Sequence, residues 1–252
     1  MTQSYTFPTR EELERVNLSW KRYLLPPVHP EGIKILLAEI LIFMVLDIII
    51  SLLGLVFGVD LPGVTYIAVP ILIFSFYFFR NPERFSPQGD DLIISPADGI
   101  VSNIKPVVPS QELDLGTEPM TRISIFMSVF NVHVNRSPVT GTVHKLNYRP
   151  GKFVNISDKD SEDNERQEIS LIAKNGQKIG CVQIAGLVAR RIYCPLKEGD
   201  KLTGGQVFGM IRFGSRLDIY LPKGVYPKVL PGQSMVAGET ILADMSGLKT
   251  KK

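Results

Sequence analysis

Two long apolar runs near the start of the chain give way to short, alternating ones. From Ile35 to Gly58 nearly every position is Leu, Ile, Val or Phe. A helix crossing the hydrocarbon core needs about 20 such residues. Glu39 and Asp47 interrupt the run, and a carboxylate at mid-bilayer costs about 2.5–3.5 kcal/mol. Glu39 lies near one end and can reach an interface, whereas Asp47 is central and argues against a simple span. A shorter run, Val64 to Phe79, contains Pro70 and closes on Phe74, Phe76, Tyr77, Phe78 and Phe79 before Arg80. Aromatics beside arginine suit a lipid–water boundary. Gly58-Val59-Asp60-Leu61-Pro62-Gly63 between the runs is turn chemistry. The pattern predicts an α-helical hydrophobic membrane hairpin over residues 35–79, after an N-terminal cytoplasmic segment, 1–34. Lys21, Arg22 and Lys34 precede it, and Arg80 and Arg84 follow it. Positive charge at both outer ends places both, and everything after them, on the cytoplasmic side of the cell membrane. In-plane attachment, or a buried hairpin in a soluble protein, are the alternatives.

Beyond Arg84 the texture changes. Short β-branched and apolar runs alternate with Gly, Pro and Asp: Leu92-Ile93-Ile94, Ile100-Val101, Arg122 to Phe126, Ile179 to Ile184, Leu217 to Leu221 and Thr240 to Met245. The spacing predicts a mainly β domain over 80–252, of β-sandwich or barrel-like form. The polar stretch Ser157 to Gln167 reads as an exposed loop. Ser95-Pro96-Ala97-Asp98-Gly99-Ile100-Val101 and Ser137-Pro138-Val139-Thr140-Gly141-Thr142-Val143 echo one another. Two related hairpins, or coincident turn chemistry, would account for this.

Charge and rare residues narrow the chemistry. A net charge of +3 argues against a nucleic-acid partner. Cys181 and Cys194 fit no zinc or redox spacing and read as small apolar residues. The scarce histidines, His29, His133 and His144, suggest no metal site and leave few groups for acid–base work near neutral pH.

Four places could carry chemistry. Asp98-Gly99 by itself is a turn. His133 falls on one face with Asn131 and Asn135 if that segment is a strand, a face ordinary toward solvent and odd toward a core. His144 follows the second echo turn and, as a lone strand histidine, reads first as structural. Gly214-Ser215 reads first as a bend between strands. Its chemical alternative is sharper. The serine hydroxyl can attack the carbonyl before it, and glycine there lets the backbone twist into the attack geometry. The ester so formed can undergo β-elimination, which cuts the chain and leaves an amine that hydrolyses to a pyruvoyl group. A base is required, which histidine supplies and an aspartate can orient.

Taken together, Pro96-Ala97-Asp98-Gly99, Phe130-Asn131-Val132-His133-Val134-Asn135-Arg136-Ser137-Pro138 and Arg212-Phe213-Gly214-Ser215-Arg216 resemble the phosphatidylserine decarboxylase family, in its short bacterial and archaeal branch. The resemblance covers about Arg80 to Met245, and the preceding hairpin also fits the branch. It implies a proenzyme that cuts itself between Gly214 and Ser215 into a β chain, 1–214, and an α chain, 215–252. Ser215 becomes the covalent pyruvoyl cofactor. Phosphatidylserine forms a Schiff base with it, loses CO2 and leaves as phosphatidylethanolamine. Asp98 matches the processing aspartate. Longer members carry two histidines three positions apart, where this chain has His133 and Arg136. His133 then serves both processing and decarboxylation, or His144 supplies the second role. Arg136, Arg190 or Arg191 could hold the lipid phosphate. The partners implied are the phospholipid, the membrane and the two chains of one proenzyme, and a homodimer is compatible. The rival readings are a membrane-tethered carrier or phosphocarrier sandwich without self-cleavage, and a zinc peptidase.

Overall fold

The computed structural model describes residues 25–59, 63–151, 164–186, 191–212 and 215–248. The polar stretch before Asn164, Arg190, Phe213, Gly214 and the middle of the predicted hairpin turn lie outside them.

Helix α1 spans Pro30–Phe57 and α2 spans Thr65–Phe78. His29 starts α1 by accepting the Glu31 N–H on Nδ1 at 3.3 Å, and Pro30 supplies the preset φ of a first helical residue. Gly58 ends α1 in the left-handed conformation, φ 63°. At 1.5 Å per residue α1 is roughly 42 Å long and α2 roughly 21 Å. By length and composition, α1 alone can cross a hydrocarbon core of about 30 Å. Both interrupting carboxylates face α2. Asp47 Oδ1 accepts the Val64 N–H at 3.1 Å and so caps the start of α2, and Glu39 accepts the Ser75 hydroxyl at 2.9 Å. The objection to Asp47 in an apolar helix is met by a backbone donor that would otherwise lack a partner. At the hairpin base, Gly32 lets α1 touch Phe79, because a Cβ on Gly32 would stand 2.3 Å from the Phe79 Cβ.

The remainder is mainly β, as the sequence predicts. Its strands are β1 Leu92–Ile94, β2 Gly99–Val107, β3 Met120–Met127, β4 Val134–Arg136, β5 Gly141–Arg149, β6 Arg166–Ala173 and β7 Lys178–Ala185. They continue with β8 Arg191–Tyr193, β9 Lys201–Leu202, β10 Val207–Arg212, β11 Ser215–Leu221, β12 Ser234–Met235 and β13 Ile241–Asp244. An eight-stranded sheet runs β12-β2-β3-β11-β7-β6-β5-β9, beside a three-stranded sheet β4-β10-β8 and the pair β1-β13. Alternation along β11 sends Leu217, Ile219 and Leu221 into the core with Ile123, Ile125 and Met127 of β3 and Ile179 and Cys181 of β7. Burying each such Leu or Ile is worth about 1.5–3 kcal/mol. Asn164 to Gln167, expected in an exposed loop, are instead largely buried at the start of β6, because β5 and β7 flank them.

The two echo segments are related in space. Ile94 N–H donates to Pro138 O at 2.9 Å and Arg136 N–H donates to Pro96 O at 2.9 Å, a reciprocal pair. Ser95 Oγ donates to Ala97 O, and Ser137 Oγ to Val139 O, each at 2.8 Å. Gly99 and Gly141 each begin a strand pressed on the next one. An added Cβ would lie 2.1 Å from Phe126 O at the first and 2.2 Å from Ile172 O at the second. The echo is therefore a pair of equivalent turns in contact, each carrying the chain from a small sheet into the large one, rather than a pair of hairpins: β1 pairs with β13 and not β2, and β4 with β10 and not β5.

Candidate active site

The chain changes sheets between β10 and β11 with only Phe213 and Gly214 in between. Ser215 is therefore the first residue of β11, paired to Met127 of β3 on one side and Ala185 of β7 on the other. It is fully buried. Its hydroxyl donates to the Met127 Sδ at 3.3 Å. The same sulfur takes Asn135 Nδ2 at 3.8 Å, and Asn135 Oδ1 accepts Gln183 Nε2 at 2.8 Å. A buried polar chain thus joins Ser215, Met127 and Gln183 of the large sheet to Asn135 of the small one.

Gly209 makes room for this junction. It faces Asn135 across β4–β10, and a Cβ on it would meet Tyr193 O at 2.4 Å and Gln183 Nε2 at 3.3 Å.

His133 lies just before β4 rather than inside a strand, and it is fully buried. The face shared with Asn135 is turned inward, not to solvent. Its Nδ1 is 2.9 Å from Asn131 O. A carbonyl only accepts, so the network assigns the proton to Nδ1 and leaves Nε2 a bare lone pair. Nε2 is buried without a partner among the described residues. The imidazole is stacked on Phe78 at 4.1 Å between centroids. Burial holds its pKa down at about 4, the Asn131 carbonyl pulls the other way, and Arg80 adds a smaller repulsion. The ring is neutral at pH 7 and presents a base.

Asp98 accepts Arg84 Nη2 at 2.9 Å and the Ala237 N–H at 2.7 Å. Burial raises its pKa, against the opposing pull of Arg84 and the Ala237 N–H. Among the described residues its hydrogen bonds go to these two groups, and His133 Nδ1 goes to Asn131. The Asp98–His133 hydrogen bond expected of a relay is therefore not formed in the intact chain.

His144 is elsewhere. Its Nε2 meets Asp114 Oδ2 at 2.7 Å, and Lys178 reaches the same oxygen at 2.8 Å. Lys178 first and then His144 hold the Asp114 carboxyl down at about 2. Strand β5 is three strands from β11, roughly 14 Å across at about 4.8 Å per step. Its Val143 end is in register with Ile179, six residues along β7 from the Ala185 that pairs Ser215. That adds roughly 20 Å along the curled sheet. The structure does not bring His144 to Ser215.

Arg136 is committed to structure, donating to Gly205 O at 3.0 Å and to Asn81 Oδ1 and Pro82 O at 2.8 Å each. Arg191 is exposed at the start of β8. Sequence reasoning missed Arg84, Met127, Gln183 and Phe78. In the sequence Arg84 is only a flanking charge and Phe78 one of a run of interface aromatics.

These features coincide with a known family. The phosphatidylserine decarboxylase family model matches residues 71–243. The chain belongs to the phosphatidylserine decarboxylase family. It is 50% identical over 229 residues to a phosphatidylserine decarboxylase proenzyme of Cereibacter sphaeroides, covering 90% of this chain and 94% of that one. A phosphatidylserine decarboxylase proenzyme of Ruegeria pomeroyi is 51% identical over 222 residues, covering 88% and 96%. One from Paramagnetospirillum magneticum is 58% identical over 170 residues, covering 67% and 71%. Family membership displaces the carrier and zinc-peptidase readings.

Proposed function

We propose that this proenzyme cuts itself at Gly214–Ser215 and then decarboxylates phosphatidylserine to phosphatidylethanolamine and CO2, using a pyruvoyl group made from Ser215. The observation that carries the reading is the position of Ser215, buried at the two-residue step between sheets, with its hydroxyl held, among the described residues, by the Met127 thioether. A sulfur is a weak acceptor. It restrains the hydroxyl little, so attack on the Gly214 carbonyl carbon sacrifices no strong hydrogen bond. In that step the Ser215 Oγ–C bond forms and the Gly214–Ser215 amide C–N bond breaks. The hydroxyl proton passes to a base, for which Nε2 of His133 is suited, and from it to the departing nitrogen, which becomes the free amine of residue 215. Loss of the Ser215 Cα proton then expels the Gly214 carboxylate and leaves an enamine at residue 215, whose imine tautomer takes up water and releases ammonia to give the pyruvoyl ketone.

The surroundings also fit the pyruvoyl group. A ketone cannot donate, and giving up a bond to sulfur costs little. Asn135 and Gln183 bring amide donors to the same chain of contacts, and Gln183 Oε1 is buried without a partner among the described residues. When present, the group captures a primary amine and draws electrons away as a carboxylate leaves. Around it this chain's residues bind and move protons: Asn135 and Gln183 orient, and His133 Nε2 exchanges a proton with the substrate α-carbon. Arg191 is exposed where it could meet a phosphate. Asp98 is assigned to processing, and His144 to none of the chemistry.

The hairpin embeds in the cell membrane with both outer ends on the cytoplasmic side. Residues 1–34, 35–79 and 80–252 then form the lead segment, the anchor and the catalytic domain. Substrate tails stay in the bilayer while the headgroup reaches the domain. Denaturing electrophoresis tests the reading: the wild-type chain gives one large and one small band, and Ser215→Ala gives one full-length band.

A further inference from the structure

A histidine base buried under the end of a hydrophobic hairpin calls for a reason. Phe78 is the last residue of α2 and is fully buried. Its ring covers the His133 imidazole at 4.1 Å with 30° between planes. Phe79 braces Phe78 edge-on at 4.9 Å, and Phe74, one turn earlier, lies 6.0 Å from it. Val132, Val134 and Met210 complete the cluster. The imidazole is thus fixed at two points, its face on Phe78 and its Nδ1 on Asn131 O, and only Nε2 is left to react.

We propose that Phe78 is a positioning residue for His133: the last turn of the membrane hairpin holds the imidazole plane and excludes water from it, so the anchor also sets the base. This rests on the reading of His133 as the base. The attraction of an imidazolium for an aromatic face acts in the opposite direction; burial is the largest cause of the lowered pKa, about 4. The charged and titratable groups around the cluster act little or in the same sense. Arg80, pinned by Tyr77 O and Phe130 O, repels a second positive charge. His29 lies edge-on to Tyr193 of β8 at 5.9 Å. Arg212 at the end of β10 is paired with Glu31 at 3.0 Å.

Histidine-labelled full-length protein in detergent micelles tests this by NMR. The chain has three histidines, and His133→Gln identifies the resonance. In the wild type the His133 ring protons are expected upfield, in the Phe78 ring current, with a titration midpoint near 4. In Phe78→Leu the midpoint rises by at least about one unit toward the ordinary 6.5. The acid limb of decarboxylation moves with it: relative to pH 8, activity at pH 5 falls about twofold for a midpoint raised to 5 and about tenfold for one raised to 6. Phe78→Tyr restores both, and Phe74→Leu, which leaves the imidazole untouched, moves neither. Absence of the upfield shift in the wild type, or an unmoved midpoint in Phe78→Leu, overturns the proposal whatever the activity does. A midpoint that moves while the acid limb stays removes His133 from the chemistry, and the proposal falls with that assignment.

Discussion

Asp98 and Thr140 occupy equivalent positions in the two paired turns, and each accepts a backbone N–H from the loop it faces. Asp98 takes Ala237 at 2.7 Å and Thr140 takes Gly204 at 3.0 Å. A neutral hydroxyl therefore suffices to hold this turn. The carboxylate at Asp98 adds what its twin lacks, a charge paired with Arg84 at 2.9 Å. Asp98→Thr should keep the fold, with stability lowered by about 1–2 kcal/mol for the lost charged hydrogen bond. Because Asp98 is the processing aspartate that the family motif implies, its loss should also slow self-cleavage at least 100-fold. Pulse-chase electrophoresis with a parallel urea melt separates the two effects. Normal cleavage in Asp98→Thr would make Asp98 a turn residue only.

The α chain should stay bound after the cut. Every strand within 215–252 pairs with one before it: β11 with β3 and β7, β12 with β2, and β13 with β1. The two pieces should co-elute in native gel filtration in detergent and part only in denaturant. Separation under native conditions would contradict the strand pairing.

Burial of His133 should show in acid stability. Its folded pKa, about 4, is below the ordinary 6.5 of the unfolded chain. The unfolded state thus takes up its proton first as pH falls. The contribution is full above about pH 6.5 and declines to nothing near pH 4, about 3 kcal/mol in all. Urea midpoints from pH 7 to pH 4 should fall less steeply in His133→Gln than in the wild type. Parallel curves would contradict a buried neutral imidazole.

The Glu31–Arg212 pair ties the first turn of α1 to the end of β10, two residues before Gly214. Both side chains are mostly buried, at 15% and 20% exposure, so the pair should exceed a surface bridge. Glu31→Gln should cost about 1–2 kcal/mol and slow cleavage severalfold by loosening the strand that delivers Gly214. Arg212→Lys should restore less than half of the wild-type rate in otherwise native protein, because lysine lacks the fork that Arg212 presents. An unchanged cleavage rate in Glu31→Gln would show that the hairpin and the cut site are not coupled.

Much of this was legible in the sequence where one residue type answers one constraint. Leu92 to Ile94, Ile179 to Ile184 and Leu217 to Leu221 alternate or run apolar as strands must, and all are strands. Asp98, His133 and Ser215 stood out because each sits in a short motif. The partners that give these residues their environment come from far along the chain and are ordinary types. Met127 looks like core, and Gln183 like an outward strand position. Phe78 belongs to an aromatic run whose members part company only in three dimensions: Tyr77 stacks under Arg80 at 3.6 Å, while Phe78 turns onto His133. Asp47 argues against a full span on sequence alone, because its partner, the Val64 N–H, is 17 residues away and meets it only in the folded hairpin.

The account stands on the bond between Gly214 and Ser215. Intact-mass analysis of the purified full-length chain tests it most directly. Two species are expected, ending at Gly214 and beginning at residue 215, the second lighter than an unmodified serine-led peptide by one ammonia and blocked to amino-terminal sequencing. A single uncut chain in an enzymatically active preparation would contradict it.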